Sequence, residues 1–288
     1  MFFKRTLTKA FLVGGVFLLL ASGCKSRFEK ILGSKDPDYM YRQATYYYNL
    51  AKEKGTPRYY ENARLLLEDL RAAYTGTSKI EEVYYYLAYC YFGLGDLEQA
   101  RFYFKSFTET FQDSQYTEDC YYMMAFCYYK DSPIYSLDQS STLKAIEQFQ
   151  LYLTLYPNSA KVDECNRFID ELRAKLERKS FENAKIFYTI GYYPAAIISL
   201  KNSLRQYPDS DYREDIEFMI LKSNYLYARN SIPSKKEERF NNTMMAYQSF
   251  IEQYPESKYA KEVKEIEEES RQALESLNAV TAHIPASQ

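Results

Sequence analysis

At 288 residues the chain exceeds one ordinary small domain, yet a single elongated array could use all of it. With 46% hydrophobic and 26% charged residues and a formal net charge of −2, it is neither a disordered tail nor a multi-span membrane protein. Glycine and proline number only 9 each, and downstream of position 23 valine occurs only at 83, 162, 263 and 280, a composition that disfavours a β-rich fold.

The first elements are read at the amino terminus. Lys4, Arg5 and Lys9 stand without an acid before an apolar run from Ala10 to Ala21, the n-region and h-region of a secretory signal. At about 12 residues the run is too short to span a bilayer, which takes ~20. Leu20-Ala21-Ser22-Gly23-Cys24 then resembles a bacterial lipobox, with Ala21 in the place usually held by leucine. That resemblance implies removal of residues 1–23 as a signal peptide and acylation of Cys24 as a membrane anchor. Residues 24–37 follow as a lipidated tether, whose 25–36 stretch reaches at most ~40 Å if extended. Lys25 rather than aspartate after the cysteine resembles the sorting pattern that sends Gram-negative lipoproteins to the outer membrane. Loss of the three signal-peptide cations moves the net charge from −2 to −5, which leaves no general electrostatic basis for binding nucleic acid.

Beyond the tether the chain repeats itself. Tyr47-Tyr48-x-Leu50-Ala51 recurs as Tyr84-Tyr85-x-Leu87-Ala88 and as Tyr121-Tyr122-x-Met124-Ala125, with an offset of 37 residues each time. A second signature punctuates the chain: Tyr156-Pro157-Asn158-Ser159, Tyr207-Pro208-Asp209-Ser210 and Tyr254-Pro255-Glu256-Ser257, with degenerate forms at 110–114 and 73–77. Proline cannot continue a helix, so the preceding aromatic closes one helix and the following Asp or Ser accepts from the amides of the next. Ser78 and Glu81 have the spacing of a capping box. Between the marks, apolar residues recur at helical spacing, as in Ala196, Ile197, Leu200 and Leu204. The reading is all-α: five two-helix units at about 38–77, 78–115, 116–159, 160–210 and 211–257, a capping helix at 258–277 and a disordered tail at 278–288. Eight extra residues around Pro133 and again around Pro233 read as long loops. Cys90, Cys120, Cys127 and Cys165 allow two disulfides in an oxidising compartment, or pack as small hydrophobes inside helices. Cys120 and Cys127, about 10 Å apart on one helix, cannot bond each other.

These units resemble the tetratricopeptide repeat, an aromatic, Leu and small residue in the first helix, then Ala and an aromatic in the second, with proline after it. Tyr84, Leu87, Ala88, Tyr91, Ala100 and Phe104 match in the second unit. The resemblance implies a superhelical array whose concave face is lined by first helices. Carried across, that face holds Tyr48, Tyr85, Tyr89, Phe92, Tyr122, Phe126 and Tyr129, with Lys52 and Gly55 beside them. Such rings either form a groove for a substrate peptide with apolar or aromatic side chains or merely fill the interior of the coil.

The chemistry-bearing residue types are scarce. His283 is the single histidine and lies in the expected tail, so Ser/His or Cys/His catalysis and multi-histidine metal sites lack their key residue. No catalytic, cofactor-binding or metal residue is expected. A lipobox with five units, Tyr-Pro-x-Ser ends and Ala184-Lys185-x3-Thr189-x-Gly191-Tyr192-Tyr193-x-Ala195-Ala196-Ile197 is similar to the BamD family of outer membrane assembly lipoproteins. The resemblance covers about Asp38 to Leu277. It implies a non-enzymatic, lipid-anchored subunit on the periplasmic face of a Gram-negative outer membrane. Its partners would be a BamA-like barrel-forming protein, other accessory lipoproteins and unfolded outer membrane protein substrates. The alternatives are another periplasmic repeat adaptor, of cell division or peptidoglycan, or a glycan-binding lipoprotein. The last is disfavoured by the absence of tryptophan, the usual sugar platform.

Overall fold

The computed structural model describes residues 26–282, which form twelve helices and, among those described, no strand. The chain divides into two compact units: the stretch up to Asp131 together with 147–162, and 132–146 together with the stretch from Asp163. The first unit holds α1 (Arg27–Leu32), α2 (Pro37–Lys54), α3 (Pro57–Tyr74), α4 (Lys79–Leu94), α5 (Leu97–Thr110) and α6 (Thr117–Asp131). Helix α7 (Ser140–Leu155) contributes to both units. The second holds α8 (Val162–Thr189), α9 (Tyr193–Gln206), α10 (Arg213–Arg229), α11 (Pro233–Gln253) and α12 (Ala260–Ala282). Helices pair as α2–α3, α4–α5, α6–α7, α8–α9 and α10–α11, and α12 stands alone after the last pair. In the first unit each helix from α2 to α6 packs on the next, and α2 also meets α4. In the second, α9 to α12 pack in sequence and α10 also meets α12. First helices thus touch first helices, as a stacked helical repeat requires.

The punctuation works as local chemistry dictates. The amides of Tyr156, Tyr207 and Tyr254 make the last helical bonds, to Tyr152, Ser203 and Phe250 at 2.8, 2.9 and 2.9 Å. Proline follows and offers no amide. Ser159, Ser210 and Ser257 then accept through Oγ from the amides two residues on, at 3.2, 3.1 and 3.0 Å. The same hydroxyls also tie the turn to an acid earlier in the chain. Ser210 donates to Glu177 at 2.7 Å and Ser257 to Glu214 at 2.6 Å, while Ser159 reaches Glu118 through the Tyr152 hydroxyl. Each second helix is therefore pinned near the first helix of its own pair.

The small residues of the repeat are packed inside: Ala51, Ala63, Ala88, Ala100, Ala125 and Ala196 have no exposed surface, so a larger side chain there would force neighbours apart. Aromatic bulk supplies much of the rest, with Phe104, Phe107, Phe149 and Tyr152 fully buried in the first unit. In the second, Phe181, Leu200 and Ile216 anchor one cluster, and Leu221, Phe240 and Phe250 another that α12 closes with Val263 and Ile266. Cys90, Cys120 and Cys127 are buried free thiols, and Cys165 is likewise buried.

Four local expectations change, the first being the tail read from 278: the last helix continues through it as far as Ala282. Ser78 makes no capping bond: its backbone is already helical at φ −64°, ψ −22°, which turns the hydroxyl away from the first amides. The capping box forms instead at Ser26 and Glu29. The extra residues around Pro233 do not make a long loop. Proline at the first helical turn is tolerated because its missing donor is one that no helical partner needs there, so they lengthen the start of α11, a helix of 21 residues. Residues 27–32, within the stretch read as tether, are helical, and Ile31 is 2% exposed.

The connection around Pro133 is a true loop, held from α8. Lys175 Nζ reaches Ser132 Oγ at 2.6 Å, Lys179 Nζ reaches the Leu137 carbonyl, and the Arg178 guanidinium lies 4.2 Å from the Tyr135 ring centre. Gln139 closes it by donating to the carbonyls of Ile134 and Leu137 at 2.9 and 3.0 Å.

Candidate functional site

The seven rings read from the repeat all lie in the first unit, on α2, α4 and α6. Tyr48 and Tyr122 are buried, at 5% and 8% exposure. Tyr85, Tyr89, Phe92, Phe126 and Tyr129 are half-buried. Two chains of ring contacts join them. Tyr48 meets Tyr89 at 6.4 Å between centres, and Tyr89 meets Tyr85 edge-on at 4.9 Å. Phe92 meets Phe126 at 6.0 Å, and Phe126 stacks against both Tyr122 and Tyr129 at 5.9 and 5.8 Å. The chains meet on α4, where Tyr89 and Phe92 stand about one turn apart. Lys52 is exposed and its ammonium lies 5.8 Å from the Tyr48 ring centre. Gly55 does not line a face: at φ +61° it is the left-handed cap of α2, donating its amide to the Ala51 carbonyl.

The ladder is organised by a residue the repeat pattern does not name. Asp119, in the first turn of α6, accepts from the hydroxyls of both Tyr85 (3.0 Å) and Tyr89, and its other oxygen pairs with Lys161 Nζ at 2.8 Å. The Lys161 ammonium also lies 3.8 Å from the Tyr122 ring centre, so one cation spans the carboxylate and the ring. Burial, followed by the Asp119 charge, pushes the Tyr85 and Tyr89 phenols well above the usual tyrosine range. At neutral pH both are hydrogen-bond donors and not nucleophiles. Tyr116 and Tyr86 complete the cluster, Tyr116 stacking on Tyr85 at 4.4 Å and Tyr86 meeting Tyr48 at 4.9 Å. Asp119 follows Glu118 at a helix start, where paired acids read as partners of the helix dipole. That reading hides its reach back to α4.

This arrangement offers ring edges, faces and hydroxyl tips, the chemistry of contact with apolar or aromatic side chains. Among the described residues no cluster of His, Cys, Asp or Glu could hold a metal ion, and no helix is long and apolar enough to cross a membrane. Cys24 and His283 lie outside the described residues.

The second unit carries concavities of its own. One of about 520 Å³ runs between α9, α10 and α11, with Lys201, Glu217 and Arg239 among its walls. Burial holds the Glu217 carboxyl above the usual carboxylate range. A second of about 390 Å³ lies between α8 and α9, with Asn183, Asn202 and Gln206 in its lining.

Against this geometry stand the comparisons. The family model YfiO, described as an outer membrane lipoprotein, matches residues 40–226 and 181–284. No curated protein matches the chain. Among solved structures, the TPR2AB domain of yeast Sti1 in a pHSP90 complex is similar at 12% identity and a TM-score of 0.38, covering 82% of this chain and 98% of that one. A likeness that loose has no bearing on fold or partner.

Proposed function

The chain belongs to the YfiO family of outer membrane lipoproteins, and from that premise we propose that it is a non-enzymatic docking subunit of the machinery that assembles β-barrel proteins in the outer membrane. In this reading Cys24 carries the acyl anchor and the helical array faces the periplasm. The second unit docks a BamA-like barrel-forming partner, and other accessory lipoproteins join the same assembly. Unfolded outer membrane protein substrates meet the aromatic ladder of the first unit. Tyr85, Tyr89, Phe92, Phe126 and Tyr129 present its surface, and Tyr48 and Tyr122 back it from beneath. No cofactor takes part.

The observation that supports the reading best is the family match running through both units. The two chains of rings on α2, α4 and α6, with Tyr85 and Tyr89 held by Asp119, support the assignment of substrate to the first unit. Rigid aromatic side chains give contact area at small conformational cost, and interface hot spots are enriched in them.

Two measurements test it. Pull-down from detergent-solubilised outer membrane is expected to return a barrel-forming protein in stoichiometric amount; a division or peptidoglycan-associated protein in its place would move the chain to a different envelope complex. Titration with a substrate carboxy-terminal peptide is expected to lose about tenfold or more in affinity when Phe92→Ala and Tyr129→Ala are combined. Far-UV circular dichroism is expected to stay unchanged. Equal affinity in the folded double variant would remove the ladder from substrate binding.

A further inference from the structure

Only Lys25 separates Cys24 from Ser26, the N-cap of α1. The Glu29 amide donates to Ser26 Oγ at 3.2 Å, and the Ser26 amide donates to the Glu29 carboxylate at 2.6 Å. Buried Ile31 fastens α1, which packs on both α2 and α3. This helix is therefore folded into the first unit and is not slack chain. With ~3.5 Å of reach per extended residue, an acyl group on Cys24 would keep the start of α1 within roughly 10 Å of the bilayer surface.

The surface of α1 suits that position. Glu29 and Asp36, the acids of this segment, are both engaged as helix caps, Asp36 accepting from the Tyr39 amide at 3.1 Å. Arg27, Lys30 and Lys35 are exposed, and among the described residues their side chains make neither an ion pair nor a hydrogen bond. Elsewhere in the first unit Lys79, Arg101 and Lys161 each hold a carboxylate. Arg27 and Lys30 are three residues apart and share a face of the helix. Phe28, next to Arg27 in α1, meets Tyr47 at 5.8 Å, and Tyr47 meets Tyr46, a residue that is 55% exposed. Exposed cations in a short segment whose Phe28 leads through Tyr47 to an exposed tyrosine have the composition of a membrane–water interface.

We infer that α1 and the adjoining Tyr46 form a membrane-contact face that rests on the anionic phospholipid headgroups of the bilayer holding the anchor. The inference depends on the acylated Cys24 of the proposed function. Its consequence is orientation: one lipid tether alone leaves a protein free to swivel, whereas a second, electrostatic contact fixes which side of the first unit faces the periplasm.

The chain has no tryptophan, so Tyr46→Trp installs a single fluorophore in it. The lipidated protein carrying that substitution is reconstituted on phosphatidylethanolamine vesicles with and without phosphatidylglycerol, recovered by flotation and probed with brominated phospholipid. The expected result is flotation with both vesicle types, but blue-shifted emission and quenching only where phosphatidylglycerol is present. Adding Arg27→Glu, Lys30→Glu and Lys35→Glu should leave flotation and far-UV circular dichroism unchanged and abolish the quenching. Each cation near an anionic surface accounts for about a fivefold change, so removing three lowers the contact on the order of a hundredfold. Flotation with water-like emission on anionic vesicles overturns the contact face and leaves the anchor standing. Failure to float overturns both. Quenching that survives the charge reversals overturns the electrostatic basis.

Discussion

Ser223 shows how much one hydroxyl decides in a helical repeat. It is fully buried on α10, at the small position that Ala88 and Ala125 fill in earlier units, and its Oγ has no hydrogen-bond partner among the described residues. Thr243 is equally buried, but its hydroxyl donates to the Arg239 carbonyl at 3.0 Å. The two residues therefore differ in sign. A hydroxyl removed from water without a partner loses the hydrogen bonds it had and gains none. Alanine in its place also raises helix propensity. Ser223→Ala is expected to stabilise the protein by about 1 kcal/mol, read as a rise in the urea midpoint at constant slope. A fall in the midpoint would mean that the hydroxyl has a partner after all. Asp119 is the contrasting case: three donors converge on one carboxylate, and the polar group organises its surroundings.

At the scale of the element, the joint after each second helix is the recurring device, and its versions differ in strength. At Ser257 the hydroxyl accepts from the Tyr259 amide and donates to Glu214, a charge-assisted bond. Ser114, where Gln112 replaces the proline, only accepts, from the Tyr116 amide at 3.3 Å. Ser257→Ala is thus expected to cost about 1–2 kcal/mol and Ser114→Ala about half a kcal/mol or less. Chemical denaturation of the two variants side by side checks the ranking; equal losses would show that the carboxylate adds nothing to the joint. These joints were legible in the sequence because proline and the hydroxyl two residues later act through their own backbone, without help from distant chain. What depended on the backbone conformation of a turn or on distant chain was not legible. The Ser-x-x-Glu spacing occurs at both Ser26 and Ser78, and the conformation of the preceding turn, which spacing does not encode, decides which one caps. Pro233 reads as a breaker until α11 is seen to begin on it. The repeat pattern names seven rings that lie on α2, α4 and α6, but helical phase fixes direction and not depth. Tyr48 and Tyr122 are covered by neighbours from other helices, and Asp119 acts across to α4.

For the whole molecule, the buried thiols turn the architecture into a measurable property. Repeat arrays bury their core between neighbours, so opening can be local to one helix or shared by a compact unit. Cys90 on α4 and Cys120 and Cys127 on α6 have no exposed surface. Burial pushes all three thiols up, that of Cys127 to about 12. Thiol reagents attack the thiolate, so in the native protein these positions react only through states that expose them. α5 lies between the two helices, packed on both, and its Phe104 and Phe107 are fully buried. Neither α4 nor α6 can leave without exposing those rings, at several kcal/mol for the pair. The expected outcome is concerted: in a mass-spectrometric time course with N-ethylmaleimide, Cys90, Cys120 and Cys127 acquire label together, at one rate and with one dependence on urea. Label on Cys120 and Cys127 ahead of Cys90 would show α6 opening alone, and would make the half of the ladder built on Tyr122, Phe126 and Tyr129 the first part of the first unit to lose its shape. Cys165 on α8, also without exposed surface, reports on the second unit in the same experiment. Its rate therefore measures whether the two units open as one cooperative body or separately.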